Sequence, residues 1–174
     1  MLIAIDASTV KTGFAFGGVN DGVPRGGVWK GQGADELVFD RTLAGMSESV
    51  SQLVRLIKAE WVAIEAPLLI NDSNHAAHTA MALIQLTGAL RAASKRAGAQ
   101  VMLVAISTVR KHFVGHGYPK NPKEAVMARC RQLGWQPEDD NVGDAMALWS
   151  YAMAIKCPRW APRSTPLFAD ARRA

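Results

Sequence analysis

Three acidic side chains stand where the surrounding residues give them little ordinary reason to be. Asp6 closes the apolar run Leu2-Ile3-Ala4-Ile5, and Glu65 closes Trp61-Val62-Ala63-Ile64 just before Ala66-Pro67. A carboxylate placed directly after a hydrophobic run is desolvated unless something positive sits beside it. The third is Asp144, inside the otherwise apolar stretch Val142 to Trp149, where aspartate is a poor helix former. At helical spacing Asp144 shares a face with Asn141 and Asp140, three and four residues earlier. Such a face points into the fold, and a buried carboxylate needs a cation or several donors.

Together Asp6, Glu65, Asp144 and one of Asp140 or Asn141 offer three or four oxygen ligands with no accompanying cysteine pair. Hard oxygen donors select magnesium or manganese over zinc. Two such ions about 3.5 to 4 Å apart are the usual apparatus for in-line displacement at a phosphodiester. Beside a basic surface, that chemistry points to a nuclease. The plainer alternative is that Asp6 and Glu65 each start a turn and that Asp139-Asp140-Asn141 merely caps a helix.

The elements that must position these groups are legible from the hydrophobic pattern. Leu2 to Asp6, Gly13 to Gly17 and about Gly26 to Lys30 are expected as three antiparallel strands joined by short turns. Asp35 to Ala59 shifts to helical spacing, Trp61 to Glu65 is a buried parallel strand, and Asn74 to Gly98 is an alanine-rich helix, apolar on most faces and suited to a subunit contact. Gln100 to Ala105 is a further buried strand, after which Ser107-Thr108 is expected to cap a short helix through Phe113. Gly115 to Pro122 reads as a loop, followed by helices over about Pro122 to Leu133 and Asn141 to Ile155. The order is mixed α/β, with helices able to cover both faces of one sheet, and two strands that each deliver an acid suggest a shared rim.

At 174 residues, 49% hydrophobic and 20% charged, the chain is expected to form one globular domain over residues 1–156, with a basic, irregular tail over 157–174. No apolar stretch approaches the roughly 20 residues needed to cross a bilayer, so no membrane role is expected. Met1 to Asp6 lacks a basic leader, and Cys130 and Cys157 offer neither a disulfide framework nor metal-ligand spacing, which argues for a cytoplasmic location. The net charge of +5 is unevenly spread: Arg91 to Arg131 carries nine Lys/Arg against Glu124 alone, and the tail adds four Arg against Asp170. Carboxylates and cations are thus divided along the chain, as suits a protein that grips a polyanion with one surface and holds cations with another.

In order along the chain, several short segments carry a resemblance. They are Ile5-Asp6-Ala7-Ser8 with Thr12-Gly13-Phe14; Ala63-Ile64-Glu65-Ala66-Pro67; Val109-Arg110-Lys111-His112-Phe113-Val114-Gly115-His116-Gly117 with Lys123-Glu124-Ala125-Val126; and Asp140-Asn141-Val142-Gly143-Asp144-Ala145-Met146-Ala147-Leu148. Across about Leu2 to Ala154 this set resembles the RuvC family of Holliday junction resolvases, within the ribonuclease H-like superfamily, and especially its phage-like branch.

The resemblance implies a ribonuclease H-like five-stranded mixed sheet with helices on both faces and a homodimer. It also implies magnesium-dependent paired nicking of four-way or branched DNA, with two ions per site and Mn2+ able to substitute. On that basis Asp6, Glu65 and Asp144 are metal ligands. Asn141 occupies the fourth position, where relatives commonly carry Asp or His, and Asp140 is the alternative. Lys123 falls on a basic position that contacts a phosphate or stabilises charge developing on it. Arg110 takes another basic position, and Lys111 and Lys120 extend the DNA-binding surface. Leu68-Leu69-Ile70 stands where some resolvases insert an apolar wedge into the junction, a core-packing role being the alternative. The chain departs from the family in having Asp6-Ala7-Ser8 where Asp-Pro-Gly is frequent, and in the insertion-like Tyr118 to Pro122.

His75 and His78 are expected as surface or DNA-proximal groups, with His112 and His116 lining the phosphate path. Alternative functions are a nuclease acting on RNA or RNA/DNA hybrids and a non-catalytic junction-binding protein. A phosphotransferase of the actin and sugar-kinase type would need a longer chain.

Overall fold

The computed structural model describes residues 1–67 and 74–157. The wedge candidates Leu68 and Leu69, with Ile70, and the tail beyond Cys157 lie outside the described residues. Strands β1 (Leu2–Asp6), β2 (Lys11–Gly17) and β3 (Arg25–Lys30) form the antiparallel part of the sheet. Helix α1 (Glu36–Ile57) crosses to β4 (Trp61–Glu65), and α2 (Asn74–Arg96) to β5 (Gln100–Val104), both strands running parallel to β1. Helices α3 (Ile106–Val114), α4 (Pro122–Gln132) and α5 (Asp140–Lys156) complete the chain. The strand order is β3-β2-β1-β4-β5, which places the two acid-bearing strands side by side at the centre.

The alternation of side chains along β1 and β4 divides the core into two layers. Ile3, Ile5, Val62 and Ile64 face α1 and α2, meeting Met46, Val50, Val54, Leu86 and Leu90. Leu2, Ala4 and Ala63 face the other way, into a layer formed with α3, α4 and α5 around Phe113, Trp135 and Trp149. By the same alternation Asp6 and Glu65 take the α5 face. The small side chains of Ala4, Ala15 and Ala63 on that face let α5 lie close to the sheet. Helix α5 is buried continuously from Val142 to Ser150 because α3 and α4 cover its outer side.

The expected elements are all present, with two differences of detail. Strand β2 begins at Lys11 rather than Gly13, its first residues pairing with Lys30 and Trp29. Ser107 and Thr108 do not cap α3. The capping position is Ala105, with no side-chain hydrogen bond, and the Thr108 N–H instead donates to the Ala105 carbonyl at 3.0 Å. The two hydroxyl residues lie inside the first turn, past the point where a side chain can reach back to the free N–H groups.

Candidate active site

Asp6 ends β1 and Glu65 ends β4, one register step beyond the Ile5 and Ile64 pair. Asp144 approaches from α5 and is 8% exposed. Two features let the start of α5 come this near. Gly13, which pairs with Asp6 across β1 and β2, has no side chain, and a Cβ there would lie 2.1 Å from the carbonyl oxygen of Asn141. The turn after Asp6 is closed by Thr12, whose hydroxyl donates to the Ser8 carbonyl at 2.7 Å and accepts from the Ser8 N–H at 3.0 Å.

The three carboxyl groups act on one another. Burial first, then the charges of Glu65 and Asp144, hold Asp6 well above the ordinary carboxylate range. Burial and Asp144 push Glu65 up to about 7 against the pull of Arg110, and burial raises Asp144 to about 6 against Arg110 and Lys123. Asp6 and Glu65 share a side-chain hydrogen bond, which requires a proton between them. The two cations named in these balances, Arg110 of α3 and Lys123 at the first turn of α4, are thus brought to the same rim as the acids.

Two ion pairs secure the start of α5. Asp139 is its N-cap, accepting from the Val142 N–H at 2.9 Å, and forms an ion pair with Lys11 of β2. Burial alone would raise Asp139, but Lys11, the Val142 N–H and a hydrogen bond from Asn141 together hold it below its usual value. Asp140 pairs with Lys123, which lowers the acid and raises the lysine. Asn141 and Asp140 therefore lie at the rim already engaged, one with Asp139 and the other with Lys123. The Lys11 to Asp139 pair is absent from the sequence reading. The capping preference of Asp139 was visible, but nothing local to Lys11 marks a partner so far along the chain.

Lys111 and Lys120 are exposed, as is His78. His112 does not line an open path. It packs into the α3 to α5 contact, with Nε2 3.3 Å from the Ser150 hydroxyl and its ring edge-on to Tyr151, and burial lowers its pKa. His112 sits one residue before the fully buried Phe113 on a short helix packed against α5, so it is drawn inward. His116 is exposed and accepts the Tyr118 N–H at 3.0 Å.

The donor set is chemically suited to a divalent cation. It is all oxygen, and a bound Mg2+ or Mn2+ would offset the repulsion and desolvation that raise these acids. Among the described residues no three His, Cys, Asp or Glu side chains already enclose a common point. Asp6 and Glu65 instead lie within hydrogen-bonding reach of each other.

A five-stranded mixed sheet of this order, with helices on both faces, is a ribonuclease H-like α/β fold. Within that class the structure is similar to RuvC of Thermus thermophilus, with a TM-score of 0.66 at 21% identity over 89% of this chain and 95% of that one. It is also similar to T. thermophilus RuvC in complex with a Holliday junction substrate, with a TM-score of 0.67 at 21% identity over 84% and 88% of the two chains. A third similar structure is the yeast mitochondrial Holliday junction resolvase Ydc2, with a TM-score of 0.60 at 13% identity over 93% of this chain and 79% of that one. No family model and no curated protein sequence matches the chain. The likeness lies in the fold.

Proposed function

We propose that this protein is a divalent-metal-dependent endonuclease that resolves four-way or branched DNA junctions by paired nicks. The observation that carries the reading is the delivery of Asp6, Glu65 and Asp144 by three separate elements to one sheet face, where burial raises all three and the charge of Asp144 adds to the rise of Asp6 and Glu65. Structural likeness to a RuvC bound to a Holliday junction substrate supports the choice of DNA.

Asp6, Glu65 and Asp144 would hold two Mg2+ or Mn2+ ions, with the Asn141 carbonyl oxygen or Asp140 as a further donor. The ions, when bound, supply the Lewis acidity for an attacking water and a departing oxygen in an in-line displacement. The chain's own cations handle the phosphate. Lys123 is an exposed ammonium held at the rim by Asp140, from which it can turn to a phosphate oxygen. Arg110 is half-buried, and its buried Nε–H has no hydrogen-bond acceptor among the described residues. A phosphate oxygen would satisfy that donor. Lys111 and Lys120 widen the positive surface along which the backbone would run.

The test uses a synthetic four-way junction with Mg2+, with linear duplex, RNA/DNA hybrid and single-stranded RNA as competing substrates. The expected result is paired cleavage of the junction, falling more than about a hundredfold in each of Asp6→Asn, Glu65→Gln and Asp144→Asn. Activity that survives all three removes the mechanism. Preferential cleavage of the hybrid moves the substrate to RNA, and binding without turnover leaves a junction-binding protein.

A further inference from the structure

We propose that Tyr118 is a base-stacking contact that reads an unstacked nucleotide of the branched DNA beside the scissile phosphate. The inference rests on the junction-nuclease reading and deepens it by assigning a residue to the branch itself.

Tyr118 lies in the segment between α3 and α4, and both ends of that segment are held at the catalytic rim. On one side Gly117 folds back against the first turn of α3. A Cβ on Gly117 would lie 3.2 Å from the Ser107 carbonyl oxygen, and Ser107 follows closely on the end of β5, which runs parallel to the acid-bearing β4. On the other side, Lys123 is paired with Asp140, the residue after the α5 cap, and lies within reach of the charges of Asp6 and Asp144. The intervening chain is short and contains Pro119 and Pro122. The Tyr118 N–H is tied to His116 Nδ1 at 3.0 Å. The backbone is therefore braced, yet the side chain is 79% exposed and takes part in none of the ring contacts of the described residues.

A large aromatic ring left in solvent on a braced loop loses hydrophobic stabilisation and gains nothing within the chain. Its surroundings indicate what would cover it. From Lys111 to Lys123 there are three lysines and no acid, and Lys111 and Lys120 are exposed, so the segment that flanks the ring carries net positive charge. Aromatic rings set among cations are the platform on which nucleobases stack, and the contact tolerates any base because every base presents a π-face. A paired base inside a duplex cannot offer that face. The occupant must be unpaired or unstacked, and the branch point of a junction supplies such nucleotides next to the bond to be cut.

The experiment compares wild type, Tyr118→Phe, Tyr118→Ala and Lys120→Ala, all with Ca2+ in place of Mg2+ so that binding is read without cleavage. The probe is a four-way junction with 2-aminopurine placed at each branch nucleotide in turn, beside a linear duplex of the same length. Wild type and Tyr118→Phe are expected to change the 2-aminopurine fluorescence at one or two branch positions. Tyr118→Ala should lose that signal and bind the junction about tenfold more weakly, with unchanged affinity for duplex and an unchanged salt slope. Lys120→Ala should keep the signal and flatten the salt slope. Since Tyr118 is exposed, melting of the variants should match wild type. If Tyr118→Ala retains both signal and affinity, the stacking role is overturned and the nuclease reading stands. If wild type shows no preference for the junction over duplex, both fall.

Discussion

At the scale of single residues, the candidate site is a place where the fold accepts a penalty that a divalent cation would remove. Unfolded, Glu65 and Asp144 have ordinary values of 4.5 and 3.8; folded, burial brings them to about 7 and about 6. Between those limits the folded chain keeps protons that the unfolded chain has released. Stability therefore falls as pH rises from about 4 to 7, and levels off above it. A tenfold change in proton affinity corresponds to about 1.4 kcal/mol, so the two acids together cost on the order of 3 kcal/mol at neutral pH after allowance for their coupling. In EDTA the melting temperature should drop by about 5 to 10 °C between pH 5 and pH 7.5. Added Mg2+ or Mn2+ should restore most of the loss at pH 7.5, and Asp144→Asn should both flatten the profile and weaken the restoration. A melting temperature indifferent to pH and to metal would show that these carboxylates are not strained together. These acids were legible in sequence because each interrupts an apolar run. The pairs that steady them, Lys11 with Asp139 and Lys123 with Asp140, were not, since an ion pair between distant segments leaves no local pattern.

At the scale of elements, the decisive event is the approach of α5 to β1 and β2. Most elements were legible, because runs such as Leu2 to Ile5 and Trp61 to Ile64 have only one way to be buried. The places where the reading slipped are ones where hydrogen bonding outweighs composition: Lys11 and Thr12 join β2 through pairing with β3, and α3 starts at Ile106 without a hydroxyl cap. The closeness of α5 could not be read from periodicity, yet it depends on one position. A methyl on Gly13 would meet the Asn141 carbonyl carbon at 2.4 Å and its oxygen at 2.1 Å, both of them backbone atoms that no rotamer change can clear. Gly13→Ala should therefore push the start of α5, and Asp144 with it, off the sheet. The expected cost is about 1 to 3 kcal/mol in urea unfolding, with Mn2+ affinity by calorimetry falling at least about tenfold. Gly45→Ala is the matched control. Gly45 lies in α1 with open space about its would-be Cβ, so alanine there should stabilise by about 0.5 to 1 kcal/mol and leave metal binding unchanged. Equal behaviour of the two variants would refute the role given to Gly13.

At the scale of the whole molecule, the strand order and the division of helices between two faces follow from the parallel crossovers. The resemblance to junction resolvases supplied the five-stranded mixed sheet; the strand order, with β1 in the middle, is seen in the fold itself. No helix among the described residues is long and apolar enough to cross a membrane. The paired nicks proposed for this chain would need a second site beyond the one a single protomer carries. Paired nicks on a four-way junction require two catalytic centres related by an approximate two-fold axis, which a C2 homodimer provides. The outer face of α2 is the candidate contact. Ala82, Leu86, Leu90 and Ala93 turn inward against α1 and the sheet, while Met81 and Ile84 remain 59% and 42% exposed on the opposite side. Two large apolar side chains one turn apart on the open face of a helix would form the centre of the contact in the proposed homodimer, with Gly88 allowing close approach. Replacing both, as Met81→Asp with Ile84→Asp, should leave the fold intact and convert a dimer in sedimentation equilibrium to a monomer. On a cruciform plasmid the variant should still nick one strand but produce few linear molecules, because the second cut would no longer follow within the lifetime of the first complex. Retention of the dimer, or of coupled cutting in a proven monomer, would place the subunit contact elsewhere or make pairing unnecessary.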